Sequence, residues 1–196
     1  MTTMIALIKQ LREETRAGVL DCRLALEQAD GDYAQALAVL REQAQAEAAR
    51  RAERPAGQGR LEVYSHGAGR IAVVVDVSTE TDFAARSPAF QAFAHEVALQ
   101  IAAAAPAYVR EEEIPHEVLA EQAGQVADQA RSAGKPEAII PRIVEGSLNK
   151  FKDRQVLLRQ ASVRDDSLTV AAMLHQASAA IGENIVINRF VRWERE

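Results

Sequence analysis

RLEVYSHGAGRIAVVVDV, residues 60–77, contains two apolar stretches on either side of a glycine-containing segment. Leu61 and Val63 alternate with polar neighbours, and every second residue from Ile71 to Val77 is apolar, which is the periodicity of a strand with one buried face. The intervening residues 66–69, HGAG, supply glycines that can adopt the positive φ angles of a tight turn. The pattern predicts a β-hairpin.

A third strand is predicted near the end of the chain, because Ile185 to Trp193 is rich in Ile, Val, Phe and Trp. Between the hairpin and this strand, helices are predicted to begin at Ser87-Pro88, about Pro115, Pro136 and about Thr169. In the third of these helices, Ile139 and Ile140 are expected to face the core, and Pro141 is expected to kink or delay the helix. Strands at both ends of a helical middle predict an α+β core with a three-stranded antiparallel sheet packed by helices.

Upstream of the hairpin, apolar residues at helical spacing predict three short helices within residues 4–40. Gly31 can end the second of them, and Asp32 can cap the third. Residues 43–53 lack an apolar stripe and are interpreted as a solvated helical linker, followed by Pro55 and nearby glycines. The predicted domains are 1–54, a three-helix domain with its linker, and 55–196, the α+β core.

The composition argues against several classes of function. A formal net charge of −5 is unfavourable for a nucleic-acid-binding surface, which needs clustered Lys and Arg. No apolar run approaches the ~20 residues that span a bilayer, so no membrane association is predicted. The single cysteine, Cys22, rules out an intrachain disulfide and suits a reducing compartment. These observations predict a cytoplasmic protein.

The sequence contains no recognisable motif for catalysis, nucleotide binding or metal binding. Its four histidines have no partners at the spacing of metal ligands. Gly67-Ala68-Gly69 precedes a strand, whereas a dinucleotide-binding loop precedes a helix. Gly134-Lys135-Pro136 carries Pro where a phosphate-binding loop has the Ser or Thr that holds magnesium. Neither catalytic residues nor a metal or cofactor is therefore predicted.

Thr81-Asp82-Phe83 follows the second predicted strand and lies shortly before the helix start at Ser87-Pro88. An acid and an aromatic at such a position are typical of a displayed tip. Two interpretations remain open from the residues alone. The tip contacts another protein, or Thr81 or Asp82 caps a short turn while Phe83 packs into the core.

Two longer stretches, residues 11–23 (LREETRAGVLDCR) and residues 69–86, resemble the signatures of the elongation factor Ts family. Further matches lie at residues 113–115, 134–137, 144–146, 181–186 and 189–190, so the resemblance covers essentially the whole chain in the family's order. Five positions depart from the family's usual residues. Arg16 replaces Gly, Ser78-Thr79 replaces Asn-Cys, Ala84 replaces Val, and Pro141 stands where a charged helix former is usual.

The resemblance implies a guanine nucleotide exchange factor for elongation factor Tu, which acts in translation elongation by protein–protein binding and not as an enzyme. It also implies that the three N-terminal helices form a ubiquitin-associated-like module that docks on the partner. The residues that match the family's docking contacts are Arg12, Val19 and Leu20. The residues that match its magnesium-displacing contact, which pushes against the partner near the phosphate site, are Thr81, Asp82, Phe83 and Ala84.

Chain length adds an expectation about assembly. About 140 residues follow the N-terminal module, enough for roughly one of the two related core subdomains that longer members of the family carry. A single core with an exposed three-stranded sheet has a reason to pair with a copy of itself. A homodimer and a two-plus-two complex with elongation factor Tu are therefore predicted. The alternative function is that of an adaptor, which uses the ubiquitin-associated-like module without exchange activity.

Overall fold

The structure is a computed structural model that describes residues 3–15 and 17–195, apart from the side chains at positions 45 and 48. Arg16, one of the departures from the family's pattern, lies outside the described residues. Contacts divide the chain into two units, Met1–Arg54 and Pro55–Glu196. The described residues form eight α-helices and a three-stranded antiparallel sheet, which confirms the predicted α+β class.

The first unit contains three helices around a small apolar core. These helices are α1 (Met4–Thr15), α2 (Val19–Gln28) and α3 (Tyr33–Ala52). Asp32 caps α3 as predicted, because its carboxylate accepts a hydrogen bond of 2.9 Å from the backbone nitrogen of Gln35. The core consists of Leu11, Cys22, Ala25, Leu26, Ala29, Ala36 and Leu40. Residues 43–52 continue α3 without a buried residue among their described side chains, as expected for a solvated helix.

The second unit contains the sheet and the remaining helices. Along the chain its elements are β1 (Gln58–His66), β2 (Ile71–Thr79), α4 (Asp82–Ala85), α5 (Pro88–Ala104), α6 (His116–Ser132), α7 (Ile140–Gln155), α8 (Val170–Ile181) and β3 (Ile185–Glu194). Short 3₁₀ turns lie at Glu111–Glu113, Glu137–Ile139 and Leu157–Arg159.

The central strand of the sheet is β2, which pairs antiparallel with β1 on one side and with β3 on the other. The hairpin predicted from the sequence is confirmed, and its strands extend as far as Gln58 and Thr79. Thr79 also pairs with Ile185, the first residue of β3. The segment that leaves β2 and the segment that enters β3 therefore lie side by side.

The core of the second unit lies between one face of the sheet and the helices α5 and α8. Its buried members include Val73, Val75 and Val77 of β2, Phe90, Phe93, Val97 and Ile101 of α5, and Val170 of α8. The start of α5 agrees with the sequence prediction, since Ser87 Oγ accepts a hydrogen bond of 3.2 Å from the Phe90 backbone nitrogen and Pro88 occupies the first turn.

The helix start predicted at Pro136 is wrong. Pro136 precedes a 3₁₀ turn, and α7 begins at Ile140 with Pro141 in its first turn, where a backbone N–H has no intrahelical partner. Ile140 is buried, but Ile139 is 43% exposed and does not face the core. Pro141 is expected to kink or to delay the helix, and the structure shows a delayed start, at Ile140.

Candidate functional site

The segment from Thr81 to Ala84 follows the end of β2 and forms the N-cap and the first three residues of the one-turn helix α4. Thr81 has an extended backbone, and its Oγ1 accepts a hydrogen bond of 3.2 Å from the Ala84 backbone nitrogen. Thr81 is therefore the N-cap of α4, as one of the two interpretations of the sequence required. The same interpretation placed Phe83 in the core, and that part is wrong.

Phe83 projects from α4 into solvent with 85% of its surface exposed. The residues that follow it face the opposite way, since Ala84 is 3% exposed and Ala85 is also buried. One side of this single turn is thus buried and anchors it, and the other side exposes Phe83 to solvent. An aromatic ring offers a large contact area with few rotatable bonds, which suits it to insertion into another protein.

Asp82 lies beside the exposed ring in the first turn of α4. Its Oδ2 accepts a hydrogen bond of 2.9 Å from Nη2 of Arg86, and both side chains are mostly exposed. An exposed pair of this kind contributes little to stability because water screens it. The Asp82 carboxylate therefore remains accessible to hydrogen-bond donors of a partner.

Glu183, at the turn between α8 and β3, holds the Thr81 cap from the other side. Its Oε1 accepts a hydrogen bond of 2.7 Å from Thr81 Oγ1, and its Oε2 accepts from the Thr81 backbone nitrogen at 3.0 Å. Burial alone would raise the pKa of Glu183, but the bonds from Thr81 and Thr79 outweigh it and lower that pKa. Sequence analysis placed Glu183 only within a matching stretch, because a contact across 102 residues leaves no local signal.

The predicted docking residues lie in the first unit. Val19 and Leu20 are 54% and 62% exposed in the first turn of α2, and the side chain of Arg12 is exposed on α1. Helical periodicity accounts for Leu20, which lies on the face of α2 opposite the buried Cys22. Val19 is on the same side as Cys22 and Leu26 and is exposed at the first residue of the helix. The two adjacent side chains therefore form a small exposed apolar patch at the start of α2.

The sheet presents a second apolar surface on the face that points away from α5. The register aligns Val63, Val74 and Val191 across the three strands and Ala72 with Trp193. Leu61, Val63, Val191 and Trp193 are exposed. At one margin of this surface, Arg189 forms an ion pair of 3.5 Å with Asp76. We refer to these residues of the three strands as the outer sheet face.

Within the described ranges, no group of three or more His, Cys, Asp or Glu side chains is arranged to hold a metal ion. Two shallow depressions of about 300 and 390 Å³ occur in the second unit, and neither is lined by residues 81–84. No helix of the described chain combines the length and apolar character needed to cross a membrane. Exposed apolar side chains, among them Phe83, Leu20 and Trp193, are prominent on the described surface.

Comparisons with known proteins agree with the resemblance seen in the sequence. The family model described as "Elongation factor TS" matches residues 3–196. Elongation factor Ts of Coprothermobacter proteolyticus is 46% identical over 193 residues, covering 98% of both chains. Elongation factor Ts of Rubrobacter xylanophilus is 46% identical over 194 residues, covering 99% of this chain and 100% of the relative. The chain therefore belongs to the elongation factor Ts family of translation elongation factors.

Proposed function

We propose that this chain is a guanine nucleotide exchange factor that binds elongation factor Tu in its GDP-bound form and promotes GDP release, so that GTP can bind. The observation that carries the proposal is the exposed Phe83 on a capped turn whose next residue, Ala84, is buried. An aromatic side chain held in this way can be driven into a partner without first losing much conformational freedom. Family membership supports the identity of the partner.

The tip residues have different tasks in this proposal. Phe83 acts as a wedge that displaces packed side chains near the partner's magnesium and phosphate site. Asp82 accepts hydrogen bonds from partner groups and disfavours a nearby phosphate through like charge. Thr81 caps the turn, and buried Ala84 supports it from behind. Loss of magnesium ligation then weakens the hold of the partner on GDP.

Docking is assigned to Arg12, Val19 and Leu20 on the three-helix unit, which we propose is a ubiquitin-associated-like domain of residues 1–54. Exposed apolar side chains and an exposed arginine on the same unit fit the composition of a protein–protein contact. Docking holds the exchange factor on its partner and raises the local concentration of the tip. It is not expected to change the barrier to GDP release itself.

Exchange follows from the coupling between two binding equilibria. If the factor binds nucleotide-free elongation factor Tu more tightly than the GDP complex, GDP binding must weaken the factor's binding by the same ratio. Each tenfold in this ratio corresponds to about 1.4 kcal/mol. No bond of the nucleotide breaks, so the proposed activity requires neither catalytic residues nor a cofactor of the chain. We expect it to take place in the cytoplasm, without contact to membrane or nucleic acid.

We also propose that two copies of the chain pair through the outer sheet face. The aligned apolar side chains of this face, including Val63, Val74 and Val191, are exposed or half-buried in a single copy. Pairing around a twofold axis would bury the same patch on both copies. The expected assembly is a homodimer that binds two molecules of elongation factor Tu.

The test is release of a fluorescent GDP analogue from elongation factor Tu, measured at increasing concentrations of the wild-type chain and of Phe83→Ala. We expect the wild type to accelerate release. We expect Phe83→Ala to lower the rate at saturation by about tenfold or more, while its half-saturating concentration changes less. An absence of acceleration by the wild type, with binding retained, would support the adaptor function and reject exchange activity.

A further inference from the structure

Glu183 occupies a fixed position where the ends of β2 and α8 meet. Gly182 ends α8 with a φ of 83°, a conformation that favours glycine, and Ser178 Oγ donates a hydrogen bond of 2.7 Å to the Glu183 carbonyl oxygen. The next residue, Asn184, is buried, and its backbone nitrogen donates a hydrogen bond of 2.7 Å to Glu80 Oε1. The main chain on both sides of Glu183 is therefore fixed.

The carboxylate of Glu183 binds the strand end from which the tip emerges. In addition to its two bonds with Thr81, it accepts a hydrogen bond of 3.1 Å on Oε2 from Oγ1 of Thr79, a residue with no exposed surface. A charged acceptor makes stronger hydrogen bonds than a neutral one. The last residue of β2, Thr79, and the N-cap of α4, Thr81, are thus attached to a single side chain from a distant part of the sequence.

The bond from Thr81 Oγ1 to Glu183 determines what Thr81 can do for α4. A hydroxyl group has one proton and two lone pairs. Since the Thr81 proton is directed at Glu183 Oε1, the oxygen presents a lone pair to the Ala84 backbone nitrogen. Glu183 therefore orients the cap, and the cap orients the turn that carries Phe83.

The length of α4 makes this support important. A helix of four residues gains too few internal hydrogen bonds to offset the cost of nucleation. Its conformation must come from its cap and from the burial of Ala84 and Ala85. Without the Glu183 carboxylate, Phe83 would sample more orientations before it met the partner, and ordering it would lower the exchange rate.

We propose that Glu183 is a positioning residue for nucleotide exchange, acting through Thr81 to hold Phe83 in the orientation that enters the partner. The inference rests on the proposed exchange function. In this proposal the turn between α8 and β3 supports exchange, although Glu183 neither touches the nucleotide nor contributes to docking.

The first experiment compares Glu183→Ala with the wild type in the GDP-release assay. The rate at saturation is expected to fall by about tenfold, the effect of losing hydrogen bonds to a charged group, while the half-saturating concentration changes by less than about twofold. Glu111→Ala is the matched control, because Glu111 also binds two side chains, Lys152 and Arg159, but lies outside the tip. It should leave the saturating rate unchanged.

Hydrogen exchange provides a readout that does not depend on the partner. In Glu183→Ala, the amides of Thr81 and Ala84 are expected to exchange about tenfold faster, while those of Val73 and Val75 in the central strand keep their protection. If the central strand loses protection as well, the variant is unfolded. In that case Thr81→Val, which removes only the cap hydroxyl, is measured instead, and it is expected to reduce the saturating rate in the same way.

A double variant distinguishes action through Thr81 from an independent effect. If Glu183 acts through Thr81, the loss in Glu183→Ala/Thr81→Val is smaller than the product of the two single losses. The positioning role would be overturned if the loss of saturating rate in the double variant equalled the product of the two single losses. It would also be overturned if either single variant released GDP at the wild-type rate. Failure of the wild type itself to accelerate release would instead reject the proposed exchange function.

Discussion

Phe83 and Ala84 are neighbours in α4, yet Phe83 projects into solvent while Ala84 is buried against the second unit. One turn of helix brings about this contrast, because successive side chains are separated by about 100°. The buried member determines whether the turn is held, and the exposed member determines what the turn can contact. Substitutions at the two positions should therefore affect different properties.

We predict that Phe83→Ala changes the free energy of unfolding by no more than about 0.5 kcal/mol, as is usual for exposed positions. Ala84→Leu should lower it by roughly 1–3 kcal/mol, because Ala84 is buried and the extra carbons must be accommodated inside the protein. Urea unfolding followed by circular dichroism measures both effects. A large loss of stability in Phe83→Ala would indicate that the ring packs against the protein in solution.

The docking surface gives a prediction with the opposite kinetic signature. Leu20→Ser should raise the half-saturating concentration for GDP release by about tenfold, the cost of losing one buried leucine contact, and leave the saturating rate unchanged. Ile5→Ser is the matched control, since Ile5 is an exposed apolar residue of the same unit outside the proposed contact. A drop in the saturating rate of Leu20→Ser would argue against a role restricted to docking.

We predict that a charged substitution on the outer sheet face separates the proposed dimer into single chains. Val191→Asp places a charge within the apolar surface, beside Val74 of the central strand, where pairing of two copies would bury it without a partner. Light scattering should give twice the chain mass of 21.4 kDa for the wild type and a single chain mass for the variant. Ile139→Asp, at an exposed apolar residue outside this face, should remain dimeric. A wild type of single mass at micromolar concentration would reject the homodimer.

The ion pairs of Glu111 predict a pH dependence of stability. Hydrogen bonds from Lys152 and Arg159 lower the pKa of Glu111 in the folded chain. A carboxyl with a lowered folded pKa stabilises the fold above its unfolded pKa of about 4.3, and that contribution disappears as the pH falls through the folded value. Below about pH 4.3, the wild type should therefore lose stability more steeply than Glu111→Gln.

Thermal unfolding between neutral and acidic pH measures this difference. Glu112→Gln, at the exposed neighbouring residue, serves as the control and should follow the wild-type profile. Parallel profiles for Glu111→Gln and the wild type would mean that the cluster with Lys152 and Arg159 adds nothing to stability in solution.

Features with a local cause could be predicted from the sequence. Asp32 and Ser87 cap helices because each has an oxygen that reaches the backbone nitrogen three residues later. The hairpin follows from alternation and glycines within a short stretch, and the whole-chain resemblance identified the family. The tip segment was also located, since it lies between a strand and a helix start that both have strong signals.

Features that depend on distant residues required the tertiary structure. The sequence left open whether Phe83 packs into the core, because exposure depends on which elements cover a position. It did not assign a role to Glu183, whose bonds to Thr81 span 102 residues. The sequence by itself therefore determined the fold class, the family and the position of the tip through short-range patterns. Only the tertiary structure decided how the tip is held and displayed, because non-local packing and hydrogen bonds fix that geometry.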